Sequence, residues 1–220
     1  MTPLAIYDMD RTVTRTGTYA KWLLFWARRE APWRLLLVPL AVVNGLLFKA
    51  GIIDRKRVKE LNQRVMMGRT VAGARLSAAV EAYADTVMAA NCLAKARVRI
   101  AADQSEGRRV VLATASHRYY VEAIARRLGV ADVIGTESVW DGDALTWRVA
   151  GDNCYGAAKR RMVEAWLADH DLTGAPIRFY SDHVTDAPMF ELAGEPVVVN
   201  AHGPLLKLAA ERGWPVEDWR

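Results

Sequence analysis

Short apolar runs that alternate with helical segments constrain the fold of this chain more than any other feature. The strand-like runs are residues 3–8, 109–114, 177–180 and 196–199. The run Arg109–Thr114 is apolar and rich in β-branched residues, as is typical of a central parallel strand. Because strands that alternate with helices build parallel sheets, the pattern predicts an α/β fold.

A long helical stretch interrupts this alternation after the first strand. From about Tyr19 to Ala90 the pattern is helical and shows no convincing strand alternation. We therefore expect a core of residues 1–14 and 84–220, with a helical domain of residues 15–83 inserted into it. Within the core, the turn at Asp141-Gly142-Asp143 predicts a β-hairpin.

Charge is distributed unevenly along the chain. The net charge is +5, but the segment Arg15–Val80 holds 13 Lys/Arg and 3 Asp/Glu, a local net charge of +10. Such basicity fits nucleic acid, anionic lipid or an acidic metabolite. The sequence has no Walker A loop, helix-turn-helix or zinc spacing, so we expect no nucleic-acid partner. Only two cysteines and no secretory signal pattern indicate a cytoplasmic protein.

Acidic and hydroxyl residues follow the predicted strands. Asp8 and Asp10 come after the first strand, Thr114 closes the second, and Asp182 and Asp186 follow the third. In a parallel sheet, ligands bind at the carboxyl ends of the strands. Several carboxylates gathered there repel one another unless a cation lies between them, and Mg²⁺ prefers such oxygen ligands. The pattern therefore predicts a magnesium site.

The spacing of these residues indicates separate roles. Asp8 and Asp10 are two residues apart, so one can attack phosphorus while the other transfers a proton. Asp182 and Asp186 can converge on one ion, and Lys159 could supply the positive charge that a bound phosphate needs. Each residue alone has an ordinary explanation as a turn, a helix cap or a solvated side chain. Their combination and order favour phosphate chemistry.

These residues stand in motifs that resemble those of the haloacid dehalogenase (HAD) superfamily. The matching positions are Asp8-Met9-Asp10-Arg11-Thr12, Thr114, Lys159, and Asp182 with Asp186. The place of the insertion resembles a type C1 cap, and the first motif is similar to that of the phosphoserine-phosphatase-like branch, subfamily IB. The resemblance implies a Rossmann-like parallel sheet with an all-helical C1 cap inserted after the first strand.

The resemblance also implies a mechanism and a cofactor. A Mg²⁺-dependent phosphatase of this kind would form an aspartyl-phosphate on Asp8, with Asp10 as general acid and base. The implied metal site is Asp8, Asp10, Asp182 and Asp186, and the implied phosphate-binding residues are Thr114, Ala115 and Lys159. Two alternatives are phosphotransfer to an alcohol and a non-catalytic, basic membrane-binding module.

One departure from the family pattern concerns the substrate. Phosphoserine phosphatases carry a cap glutamate about nine residues after the nucleophile, where it binds the substrate ammonium. Here Gly17 occupies that place, and no acid lies between Arg11 and Arg29. The departure disfavours phosphoserine and leaves a lipid-linked or small organic phosphate as the substrate.

The stretch Leu35–Phe48 is the most apolar part of the insertion, with 14 residues and no charge. It is shorter than the roughly 20 residues of a transmembrane helix. A buried helical hairpin inside the cap is the favoured interpretation. The nearby Trp22, Trp26 and Trp33 and the basic excess offer an alternative, peripheral contact with the inner face of a membrane. The oligomeric state stays open.

Overall fold

Nine strands and nine helices make up the computed structural model, which describes residues 1–220. The strands are β1 (Leu4–Tyr7), β2 (Thr70–Val71), β3 (Arg109–His117), β4 (Asp132–Thr136), β5 (Ser138–Asp141), β6 (Ala144–Val149), β7 (Ile177–Ser181), β8 (Glu195–Val199) and β9 (Val216–Glu217). The helices are α1 (Tyr19–Glu30), α2 (Val38–Lys49), α3 (Arg55–Met67), α4 (Gly73–Ala90), α5 (Ala94–Ser105), α6 (Arg118–Arg127), α7 (Ala157–Asp169), α8 (Ala187–Leu192) and α9 (Pro204–Arg212).

Six parallel strands form the central sheet, in the order β4-β3-β1-β7-β8-β9. Strand β1 lies inside this sheet, and all four of its residues are buried. Its side chains alternate between the two faces. Ala5 and Tyr7 join the apolar cluster that contains residues of α1, α4 and α6, whereas Leu4 and Ile6 join the cluster with residues of α7, α8 and α9. The predicted α/β parallel sheet is confirmed.

The insertion after β1 is helical, as predicted, apart from the two-residue strand β2. This strand pairs antiparallel with β6, which in turn pairs with β5. The β5–β6 hairpin turns at Gly142, which has a φ of 59°, so the predicted hairpin is confirmed. A three-stranded antiparallel sheet thus ties the insertion to the core.

Helix α4 crosses the expected boundary between the two domains. It runs from Gly73 to Ala90 without a break, and its buried residues Val80, Ala84 and Val87 belong to the same apolar cluster as residues of α6. The division into residues 1–14 and 84–220 on one side and 15–83 on the other stays a proposal, since one continuous helix spans its second boundary.

The apolar stretch Leu35–Phe48 is not buried, so the prediction of a buried hairpin is wrong. The stretch lies in a short 3₁₀ segment (Pro32–Leu37) and in α2, where only Asn44 is buried. Leu36 is 83% exposed and Leu46 is 58% exposed. The physical reason is that α2 packs mainly on α3, which covers only one of its sides.

Candidate active site

One cavity of about 220 Å³ contains all seven site residues predicted from the sequence. They are Asp8, Asp10, Thr114, Ala115, Lys159, Asp182 and Asp186. The cavity lies where β1, β3 and β7 end, the edge of a parallel sheet at which ligands bind. Its other lining residues, which sequence motifs did not single out as ligands, are Arg11, Arg55, Tyr155, His183 and Thr185.

A tight turn directly after β1 presents the first two acids. The Asp8 amide donates a hydrogen bond of 2.9 Å to the carbonyl of Tyr180, which continues the β1–β7 pairing. The chain then turns at Arg11, whose φ of 66° lies in the left-handed region that non-glycine residues seldom adopt. Asn200 donates from Nδ2 to the Arg11 carbonyl at 2.9 Å and so holds the turn in place.

Lys159 connects two carboxylates inside this cavity. Its Nζ donates to Asp8 Oδ1 at 2.8 Å and to Asp186 Oδ2 at 2.7 Å. Burial opposes a charge here, but the carboxylates of Asp186 and Asp8 outweigh it and raise the pKa of Lys159 above its ordinary value. The raised pKa favours the charged form of Lys159, which contacts Asp8 directly.

With all three ionised, the acids Asp8, Asp182 and Asp186 would carry more negative charge than Lys159 can balance. Burial raises the pKa of Asp8 above its ordinary value, although Lys159 acts in the opposite direction. Burial also raises the pKa of Asp182 to about 6, against the attraction of Arg11. Ionising all three acids beside a single ammonium therefore requires further positive charge.

The unpaired oxygen Oδ1 of Asp186 is a place where a cation could bind. Asp186 Oδ1 is buried and has no hydrogen-bond partner, although its Oδ2 accepts from Lys159 and from Ser181 Oγ at 2.7 Å. No three Asp, Glu, His or Cys side chains form a closed ligand cluster. Mg²⁺ does not need one, because it binds through few carboxylates and keeps waters and substrate phosphate. These residues therefore fit Mg²⁺.

The carboxylate of Asp10 is oriented by three donors from two different elements. Its Oδ1 accepts from the amide and hydroxyl of Thr18 at 2.9 and 2.8 Å, and its Oδ2 accepts from Ser116 Oγ at 2.9 Å. Thr18 precedes α1 and Ser116 lies near the end of β3, so insertion and core hold Asp10 jointly. Sequence reasoning did not identify Thr18 or Ser116; the only signal was a hydroxyl residue two positions after Thr114.

A buried lysine from the insertion reaches the end of β3 next to Thr114. Lys59 of α3 donates from Nζ to the carbonyl of Ala115 and to Asn153 Oδ1, with Thr136 Oγ1 at 3.5 Å. Burial lowers the pKa of Lys59 to about 7. Sequence reasoning did not find this residue, because a lysine in an amphipathic helix is ordinarily solvated.

The cavity mouth is aromatic and basic. Arg55 of α3 places its guanidinium carbon 3.8 Å from the ring centroid of Tyr155, a cation–π contact, and 5.1 Å from that of Phe48 in α2. His183 also lines the mouth, and its Nδ1 lies 2.8 Å from Thr185 Oγ1. The insertion thus supplies one wall of the entrance, and that wall is cationic.

A parallel sheet that ends in an acid-rich cavity, with a helical insertion beside it, is the architecture expected of the haloacid dehalogenase-like hydrolases. The sequence profile of that family matches residues 5–191, and the chain belongs to it. Its similarity to phosphoserine phosphatase SerB1 of Mycobacterium tuberculosis is 34% identity over 114 residues, which cover 52% of this chain and 37% of that relative. The match therefore spans well under half of the relative.

Solved structures share the whole fold. A protein of unknown function from Bordetella pertussis Tohama I matches with a TM-score of 0.88 and 24% identity over 100% of both chains. A phosphoserine phosphatase solved as a phospho-aspartyl intermediate analogue matches with a TM-score of 0.65 and 16% identity, over 100% of this chain and 94% of the other. The curated relative and the second structure are phosphoserine phosphatases by name, so the chain is similar to proteins of the phosphoserine-phosphatase-like branch; subfamily IB stays a prediction.

Proposed function

We propose that this protein is a Mg²⁺-dependent phosphomonoester hydrolase in which Asp8 is the nucleophile and Asp10 is the general acid and base. The observation that carries the proposal is the double ion pair of Lys159 with Asp8 and Asp186, inside the cavity that Asp10 and Asp182 also line. A structural salt bridge would need only one acid. A phosphate-binding site needs a fixed cation beside an attacking carboxylate.

The chemistry would proceed in two displacements. An Asp8 carboxylate oxygen attacks phosphorus, the ester P–O bond breaks, and Asp10 gives a proton to the leaving oxygen. A water molecule then attacks the aspartyl-phosphate, Asp10 takes its proton, and inorganic phosphate leaves as the Asp8 carboxylate is restored. The hydrogen bonds from Thr18 and Ser116 would hold Asp10 in position for both transfers.

Positive charge would act on the phosphoryl oxygens throughout. Mg²⁺, held by Asp8, the Asp10 carbonyl and Asp182, would neutralise negative charge on the transferred group. Asp186 would support the waters of the metal and keep Lys159 directed at Asp8. Thr114 and Ala115 would bind phosphoryl oxygens at the end of β3.

The leaving group is proposed to be a lipid-linked or small organic alcohol without an ammonium. A Cβ added at Gly17 would meet no atom within 4 Å, and this position of the cap glutamate holds no acid. The mouth instead offers Arg11 and Arg55. An amino-acid ammonium would therefore meet positive charge at the entrance and find no carboxylate partner from the cap.

Hydrolysis of para-nitrophenyl phosphate tests the proposal directly. Turnover should require Mg²⁺, stop in EDTA and return when Mg²⁺ is added back. Asp8→Asn should abolish it, while Asp143→Asn, at an exposed acid of the β5–β6 turn, should not. Acid quenching with a ³²P-labelled substrate should trap the label on wild-type protein and not on Asp8→Asn.

A panel of amino-acid, sugar, nucleotide and phospholipid phosphomonoesters then identifies the leaving group. Transfer to an alcohol in place of water would appear as a new phosphoester when glycerol is added. Activity of Asp8→Asn equal to that of wild type, or no turnover of any phosphomonoester by folded protein with Mg²⁺, would overturn the proposal.

A further inference from the structure

The insertion exposes an apolar surface that no part of the chain covers. It is formed by Trp33, Leu36, Leu40, Val43 and Leu46, and we call it the α2 face. All five side chains are exposed, and only 6% of residues 32–49 are buried. Contiguous apolar patches of this kind are uncommon on monomeric soluble proteins and mark interaction sites.

The spacing of these residues places them on one side of the helix. Leu40, Val43 and Leu46 recur every three positions in α2, so their side chains point in similar directions, and Leu36 precedes them in the 3₁₀ segment. On the opposite side, Val38 and Ala41 pack against the apolar core and Asn44 donates from Nδ2 to Asn62 Oδ1 of α3 at 2.9 Å. The inner side of α2 therefore already has a partner, and the outer side does not.

The charge around the α2 face identifies the kind of partner. No acid lies between residues 32 and 49, and Arg34 and Lys49 stand at the two ends of the apolar run. The segment Arg15–Val80 has 13 Lys/Arg against 3 Asp/Glu. Two copies of this surface would bring the same positive charges together, which disfavours self-association. The charge favours an anionic partner.

The aliphatic side chains of the α2 face distinguish between nucleic acid and anionic lipid as its partner. Leucine and valine find no complementary surface on the phosphate backbone of a nucleic acid. A lipid bilayer with anionic headgroups offers both an apolar layer and negative charge. Trp33, with the Arg34 guanidinium 4.5 Å from its ring centroid, has the amphipathic character of residues at the membrane interface.

We propose that the α2 face binds the surface of a bilayer that contains anionic lipid, with α2 lying in the interface. Residues 32–49 are long and apolar enough to span a membrane by length and composition alone. However, α2 has 12 residues and measures about 18 Å, less than the roughly 30 Å of a hydrocarbon core. The Asn44–Asn62 hydrogen bond also keeps α2 on α3, so peripheral binding fits better than insertion across the bilayer.

The C-terminal end of α2 lies near the entrance of the active-site cavity. Arg55 lies between Phe48, at the end of α2, and Tyr155, at the cavity mouth. Membrane binding itself does not depend on the proposed phosphatase activity.

Flotation of the full-length protein with vesicles tests the proposal. The vesicles are phosphatidylcholine alone and phosphatidylcholine mixed with phosphatidylglycerol. We expect flotation with the mixed vesicles, weaker flotation at high salt, and an affinity at least about tenfold lower for Leu36→Ser/Leu40→Ser/Leu46→Ser, a loss of about 1.4 kcal/mol or more.

Two matched variants separate this surface from general effects. Val98→Ser/Leu206→Ser changes exposed apolar residues of α5 and α9 and should float like wild type. Asp8→Asn should also float like wild type, which separates docking from catalysis. Circular dichroism and the melting temperature verify that the triple variant is folded.

Three outcomes would overturn the proposal. The first is absence of flotation with anionic vesicles at low salt. The second is equal flotation of a folded triple variant and wild type. The third is that wild type does not bind vesicles but binds polyglutamate or forms a dimer, and that the triple variant loses this binding or this dimer. Such a result would assign the α2 face to a protein partner.

Discussion

Replacing Lys159 with methionine tests the charge balance of the site most sharply. The side chain of Lys159 is 2% exposed and holds Asp8 and Asp186 at 2.8 and 2.7 Å. Methionine has a similar volume but no charge, so two carboxylates lose their common cation. Because removing one partner of a buried ion pair costs about 3–5 kcal/mol, we expect a loss of that size in the free energy of unfolding.

Urea unfolding in EDTA, followed by tryptophan fluorescence, measures this loss. Lys207→Met, at an exposed lysine of α9, is the control and should change stability by less than about 0.5 kcal/mol. The double variant Lys159→Met/Asp186→Asn removes one of the two unpaired carboxylates. It should be more stable than Lys159→Met alone by about 1 kcal/mol or more, since neighbouring residues couple by that amount.

Mg²⁺ supplies a further readout for the same variant. If the loss arises from uncompensated carboxylates, Mg²⁺ should stabilise Lys159→Met more than wild type. A loss below about 1 kcal/mol for Lys159→Met, or a double variant no more stable than Lys159→Met, would refute the charge-balance argument. In that case Lys159 would act in the fold only as a well-packed side chain.

Three further changes test separate parts of the structure. Asp10→Asn should keep the contacts with the hydroxyls of Thr18 and Ser116 but lower kcat by about 10²–10⁴-fold, without a matching loss of stability. A kcat near that of wild type in steady-state kinetics would contradict the role of Asp10 as general acid and base. Gly135→Ala places a Cβ 3.0 Å from the Cα of Arg118, so thermal unfolding should show that the free energy of unfolding falls by about 1–3 kcal/mol. Gly17→Ala is the control, because open space surrounds that position, and it should change stability little. Equal losses of stability in the two variants would contradict the packing argument. The folded-state pKa of Lys59 is about 7 against an ordinary 10.5, so the unfolded chain binds one more proton between these values. The stability of wild type relative to Lys59→Met should therefore rise with pH across that window by at most about 1.4 kcal/mol per pH unit, and a difference that is flat or falls in urea unfolding would contradict it.

The sheet and the main site residues could be predicted because both depend on local patterns. Buried parallel strands are continuous apolar runs, and β1 and the first part of β3 show this pattern. Functional side chains at the ends of such strands share one edge of the sheet. For this reason Asp8, Thr114 and Asp182, which are far apart in sequence, line one cavity in the structure.

The residues that orient this site could not be predicted, because tertiary packing selects them. Thr18 and Ser116 are 98 positions apart and meet only where the start of α1 passes the end of β3. Lys59 lies on a helix of alternating charged and apolar residues, where a lysine is expected to face water. Only the fold shows that this position points into the core.

The burial of α2 was predicted wrongly, and its neighbour α3 shows why. Apolar residues are buried only where another element is available to cover them, and hydrophobicity alone does not reveal how many sides are covered. Helix α3 has Arg57 and Arg64 on its exposed side, so only its opposite, apolar side needs to be covered by another element. Helix α2 has Leu40, Val43 and Leu46 on its exposed side and no charge before Lys49. A helix with apolar residues on both its covered and its exposed side needs a partner on each side, and the proposed docking on a bilayer would supply the second one.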